Sequence, residues 1–225
     1  MKIKILLRSY LQLYFQDFLY LTMLFSIIVF GLTADSLLGI GSIRKYNLLL
    51  IGMFFLALFS TMNLYRNDSQ QNKYLKQRVN NYWLDALSQL LVALIVNIFS
   101  GILIFVFSLI LNQNVLLDVT GITTLISVGM LASGIATLFK TQWYRHSSVG
   151  QVGVLIFTYL AFSGSVISLL NDVEFIMPPL SKIIMTLRRK GEITALLPVA
   201  GQTFLYALIL FLISSFIYKE KKKVK

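Results

Sequence analysis

The chain has 225 residues, of which 57% are hydrophobic and 13% charged. A soluble domain is about 45–50% apolar and about 25% charged, so this composition excludes an ordinary soluble domain and leaves a membrane protein. There is no Cys, which excludes disulfides, thiolate metal sites and a lipoprotein anchor. The net charge of +11 suggests nucleic acid, but the basic residues are spread over short loops and tails. That is the Lys/Arg bias of cytoplasmic membrane loops, and no nucleic-acid partner is expected.

Residues 2–16 come first. Ile3, Leu6, Leu7, Tyr10, Leu11 and Tyr14 recur at helical spacing, with Lys4, Arg8 and Gln12 opposite. This predicts an amphipathic helix in the interface plane, or else a cytoplasmic extension of the first span. Arg8, Gln12, Gln16 and Asp17 interrupt the stretch, which argues against a cleaved signal peptide.

Apolar runs of about 20 residues are long enough to cross a bilayer as helices. They predict spans near 18–38, 46–65, 86–111, 119–139, 149–170 and 202–218. The fold class is therefore all-α: one polytopic transmembrane domain over 1–225 with six transmembrane helices. A short loop, 39–45, joins the first two spans, and Asn112–Asp118 has turn chemistry. Lys140–Ser148 sets Trp143 and Tyr144 beside Arg145 at an interface.

The longest internal polar run is 66–85. Its Leu75, Val79, Tyr82 and Trp83 share one helical face, while Lys73, Lys76, Gln77 and Asn80 point elsewhere. Such a loop helix can lie on the membrane and offer a cationic surface to the cytoplasm, or it can be a plain solvated connector. The segment 171–201 is different. Pro178, Pro179, Gly191 and Pro198 break its apolar pieces, so it reads as an interfacial or re-entrant outer segment.

An even number of spans puts both termini on one side. Lys2, Lys4 and Arg8, the basic residues of 66–85, Lys140 and Arg145, and the tail Lys219–Lys225 all fall on that side. Both termini are expected in the cytoplasm. Arg44, Lys45, Lys182, Arg188, Arg189 and Lys190 stay on the other.

Catalytic constellations are missing. His146 is the one histidine and has no carboxylate near it in sequence. No metal site and no catalytic residue are expected, because zinc needs more than one such ligand. Asp17, Asp35, Asp85 and Asp118 all fall at expected span ends, so no carboxylate pair forms a proton relay. Gly39-Ile40-Gly41 lacks the lysine and spacing of a phosphate loop. The small residues are expected to pack helices closely: Gly129 with Ser133, Ala132 with Ala136, Gly164 with Ser168, and Asn97 with Gly101. Asn97, Thr123, Thr124, Ser127, Ser133, Thr158, Ser163 and Gln202 are the mild polar groups available to line a path.

Taken together, this layout resembles the permease subunits of type-2 ABC exporters. The resemblance covers nearly the whole chain: an amphipathic first helix, two spans, a helical cytoplasmic loop, three spans, a Pro-broken outer segment and a last span with a basic tail. It implies that 66–85 is the coupling element that docks on a separate ATPase subunit. Arg66, Asp68, Lys73, Tyr74, Leu75, Lys76 and Arg78 would then be the coupling residues. Family members often have a Glu-rich start and a Gly in this loop; here Asp68 is the acid at its start and Gly is absent. The resemblance further implies a second, identical or related permease. ATP and Mg would bind the partner ATPase, and this chain would bind no cofactor. It would sit in a bacterial cytoplasmic membrane, and its cargo would be an amphipathic peptide, or a lipid or surface glycan. Apart from the resemblance, Arg188, Arg189 and Lys190 are a candidate contact for anionic lipid headgroups or an acidic cargo segment on the outer side, or else a solvated turn around Gly191. The rival expectations are a membrane immunity or scaffold protein without transport and an intramembrane enzyme, the latter disfavoured by the missing acid, His and Cys clusters.

Overall fold

The computed structural model describes residues 2–38, 42–71, 82–109, 115–139, 147–164 and 178–223. The helices are α1 (Lys2–Phe15), α2 (Phe18–Leu38), α3 (Ser42–Gln71), α4 (Tyr82–Leu109), α5 (Val115–Leu138), α6 (Ser147–Ser163), α7 (Leu180–Lys190) and α8 (Leu197–Lys223). A single 3₁₀ turn, Ile193–Leu196, precedes α8. No strand occurs among the described residues.

By length and composition, four helical stretches can cross a bilayer: Ile43–Arg66, Trp83–Phe107, Leu116–Leu138 and Ile193–Ile217. The pair Ile3–Phe15 and Phe18–Ala34, bent by 60°, adds a fifth if counted as one span. The apolar part of α6, Val149–Ser163, is shorter. The break between α1 and α2 falls at Gln16–Asp17. There the Asp17 carboxylate accepts the Leu19 N–H at 3.1 Å, so a side chain caps one of the amides that a helix start leaves unpaired.

The central element is α5. It packs against α3, α4, α6 and α8, and 78% of its span is buried. Small residues, Ala132, Ser133, Ala136 and Thr137, are buried on it beside larger ones such as Leu125, Met130 and Leu131. The bundle is apolar outward, and its apolar core holds a set of buried polar side chains. Phe18 is 82% exposed, and Phe25 and Leu155 are each 68% exposed. Ser88, Asn97, Ser100, Thr124 and Ser133 are buried. A water-soluble surface would not carry this much exposed aromatic and aliphatic area; lipid accepts it.

Several expected boundaries move. The helix α3 begins at Ser42, so Arg44 and Lys45 belong to it rather than to a loop, and Lys45 is buried. The same helix runs on to Gln71, and α4 starts at Tyr82. Nothing in Asn67–Gln71 breaks a helix; residues 72–81 lie outside the described residues. Asp118 sits in the first turn of α5, not in a loop. Leu197 starts α8 although Pro198 follows at once, because a helix tolerates proline in its first turn. At the other end α8 takes in Lys219 to Lys223. The apolar face expected on α1 exists, but Leu6, Tyr10 and Tyr14 are buried against α3 and α4, so much of it meets protein.

Close approach depends on Gly129. A Cβ there would run into Asn97 Oδ1 and Met53 Cε. Gly201, by contrast, faces open space. Gly129→Val should therefore destabilise the bundle by about 1–3 kcal/mol. Gly201→Ala should be neutral or stabilise by about 0.5–1 kcal/mol. Thermal unfolding in detergent reads both, and a Gly129→Val variant as stable as the parent would refute the close contact.

Candidate functional site

The site is built from three stripes of residues spaced four apart, which places each stripe on one helix face. On α3 it is Met53, Ala57, Thr61 and Tyr65; on α4 it is Asp85, Gln89, Ala93 and Asn97; on α5 it is Leu125, Gly129, Ser133 and Thr137. All of these are buried, Gly129 included. Their polar groups meet each other and the tyrosines of α1.

At one end of the bundle the Tyr10 hydroxyl donates to Asp85 Oδ1 at 2.7 Å. Gln89 Nε2 donates to the same oxygen at 3.1 Å and to Tyr10 Oη at 3.2 Å. Ser88 Oγ donates to the Asp85 carbonyl at 2.7 Å. Asp85 is only 7% exposed and lies in the first turn of α4, where the helix dipole favours a negative charge. Two donors and the dipole together offset the cost of burying a carboxylate.

Deeper in, a chain of bonds crosses four helices. Tyr14 Oη and Thr61 Oγ1 are 2.9 Å apart. Thr61 Oγ1 donates to Ser133 Oγ at 3.2 Å, which leaves Tyr14 as the donor to Thr61. Asn97 Nδ2 donates to the same Ser133 Oγ at 3.1 Å. Three further pairs flank this chain. Tyr65 meets Thr137 Oγ1 at 2.8 Å, and Ser214 Oγ of α8 donates to the Thr137 carbonyl at 2.7 Å. Tyr20 meets Ser100 at 2.8 Å. At the far end Tyr46 donates to the Gly121 carbonyl at 2.8 Å.

These contacts sort the helix ends. The start of α4 lies with α1 through Tyr10 and Asp85. The far end of α3, the end of α5 and the last turns of α8 meet at Tyr65, Thr137 and Ser214. Trp83 of α4 also packs edge-on against Phe216 of α8 at 5.6 Å. The end of α3, the start of α4, α1 and the last turns of α8 thus share one end of the bundle.

The expected coupling residues divide accordingly. Arg66 is exposed near the end of α3, and the backbone of Asp68 is helical. Lys73, Tyr74, Leu75, Lys76 and Arg78 lie outside the described residues, as does His146. Arg188, Arg189 and Lys190 are exposed in the last turn of α7. Among the described residues, no three of His, Cys, Asp and Glu come together as a metal site. Asn97 and Ser133, expected to line a path for cargo, instead bond to each other inside the bundle. The tyrosine hydroxyls were not picked out from the sequence, and neither was buried Asp85. Their signal is the four-residue spacing of Tyr10 with Tyr14 and of Asp85 with Gln89. No family model matches the chain, and no curated protein or solved structure matches it.

The Tyr10–Asp85 contact has a measurable energy. In a double-mutant cycle of Tyr10→Phe and Asp85→Asn, the coupling between the two positions should be about 0.5–1.5 kcal/mol. Unfolding by denaturant in detergent gives it, and strictly additive effects would mean the bond contributes nothing.

Proposed function

We propose that this chain is the membrane permease subunit of an ATP-driven exporter, built from six spans. In this reading α1 is its interfacial amphipathic helix and α7 part of a re-entrant outer segment. Both termini and the loop 66–85 face the cytoplasm of a bacterial cell, following the Lys/Arg bias of that end. A separate ATPase binds ATP and Mg and docks on the loop. A second permease copy completes the complex, with cargo passing between the two.

One observation supports this reading most: Asp85, at the root of the loop, is bonded to Tyr10 of α1. A push on the loop would reach α1 directly. It would pass on through Tyr14 and Thr61 to the centre of the bundle. Nucleotide binding shifts such an assembly only if the ATPase holds the two states with different affinity, and a loop rigidly tied to the core transmits that difference. Amphipathic peptide cargo, such as a toxin or bacteriocin, fits outward faces that are apolar along α2, α6 and α8. A lipid or lipid-linked glycan is the second cargo class, favoured by the same faces.

The test is charge reversal of Lys73, Lys76 and Arg78 together to Glu. Copurification with any ATPase found encoded beside this gene should fall at least about tenfold, while membrane insertion and thermal stability hold. Unchanged copurification and transport would remove the coupling role. Absence of any ATPase partner would favour a non-transporting immunity or scaffold protein.

A further inference from the structure

The end of the bundle opposite the loop carries cations that neither packing nor topology explains. Helix α7 buries Leu180, Ile183 and Leu187 against the bundle and ends in Arg188, Arg189 and Lys190, all exposed. Gly191 closes it with φ 66°, and its N–H bonds to the Leu187 carbonyl at 2.9 Å. This left-handed cap turns the chain toward the first turns of α3: a Cβ on Gly191 would lie 3.9 Å from Ile43 Cδ1. The next residue of α3, Arg44, is exposed as well. Lys182 is held otherwise, donating to Gln202 Oε1 at 3.2 Å. Among the described residues, Arg44, Arg188, Arg189 and Lys190 make no hydrogen bond or ion pair. Glu192 alone follows them in sequence as a counter-charge.

A solvated helix end accounts for part of this. Cations in the last turn of α7 complement its dipole. Arg44 does the reverse, because it sits in the first turn of α3, where the dipole disfavours a cation. The positive-inside bias does not account for a cluster at the end with fewer basic residues either. An anion from outside the chain would resolve both. Its source is indicated by the apolar surface of the neighbouring elements: Ile43 and Leu48 of α3 and Leu197 at the start of α8 are large, apolar and exposed. A rim of Arg and Lys on the edge of an apolar belt matches a phosphate at headgroup depth with acyl chains beneath it.

We propose that the C-terminal turn of α7 and the first turn of α3 form a binding site for the headgroup phosphate of an anionic phospholipid. Arg188, Arg189, Lys190 and Arg44 supply the charge. Ile43, Leu48 and Leu197 supply the surface for the acyl chains. The site does not depend on the transport reading, since any protein with this bundle in a membrane would have it.

The experiment is native mass spectrometry of the full chain in detergent, titrated with phosphatidylglycerol or phosphatidylcholine, with thermal unfolding alongside. Phosphatidylglycerol should be retained and should raise the unfolding temperature; phosphatidylcholine should do neither. Arg188→Gln/Arg189→Gln/Lys190→Gln should lower retention by about a hundredfold, and Arg44→Gln alone by about fivefold. Lys221→Gln/Lys223→Gln in the tail should leave it unchanged. High salt should strip the lipid from the parent protein, a reading that survives even if the triple variant folds poorly. Equal retention of the two lipids, or retention indifferent to both salt and Arg44→Gln, would overturn the proposal. An equal thermal shift with inorganic phosphate alone would make this a free-anion site and overturn the lipid assignment.

Discussion

Inside a bilayer, apolar contact does not choose which helix meets which, because lipid tails are as apolar as leucine. What chooses here is a set of buried polar side chains that find partners on other helices. Ser133 of α5 accepts from Thr61 of α3 and Asn97 of α4, and Tyr14 of α1 joins through Thr61. Each such bond is worth about 0.6 kcal/mol on average in membrane bundles. The larger effect is negative: an arrangement that separates Asn97 or Asp85 from its partners leaves an amide or a carboxylate unpaired in a medium without water. The small residues of α5 work with them, since Gly129 is what lets Asn97 come close enough.

The same bonds make the two ends of the bundle unequal. One end gathers the root of the polar loop, α1 and the basic tail around buried Asp85. The other carries α7, Gly191 and an open set of cations. A carboxylate buried with Tyr10 and Gln89 is a rigid joint, whereas exposed cations can exchange partners. The first arrangement suits a contact that transmits force from a docked protein, and the second suits an anion drawn from the membrane.

Four spans were legible because a run of apolar residues is a strong signal and α3, α4, α5 and α8 each have one; α2 counts as a span only together with α1, and the apolar part of α6 is shorter. The Pro- and Gly-broken segment was legible too, and α7 with its Gly191 cap falls inside it. Helix ends were less legible. Polar residues such as Asn67–Gln71 and Lys219–Lys223 continue a helix as readily as they leave it, so α3 and α8 run past the apolar stretch. The polar seam was the least legible part. Thr22, Ser26 and Thr33 donate to carbonyls of their own helix, while Thr61 and Ser133 bond across helices. In the sequence both kinds are a hydroxyl in an apolar run. Asp85 was hidden by its position beside a polar loop, where a carboxylate is ordinarily solvated. Its partner Tyr10 lies in a segment whose periodicity fits a membrane surface as well as a protein one.

The claim that most of this account rests on is that the loop end of the bundle faces the cytoplasm and holds a partner there. Because the native chain has no Cys, a single Lys73→Cys substitution gives one reactive position. An impermeant thiol reagent should leave it unlabelled on intact cells and label it in inverted membrane vesicles. Adding the ATPase should then protect it. Labelling from outside intact cells, or equal labelling of vesicles with and without the ATPase, would contradict the account.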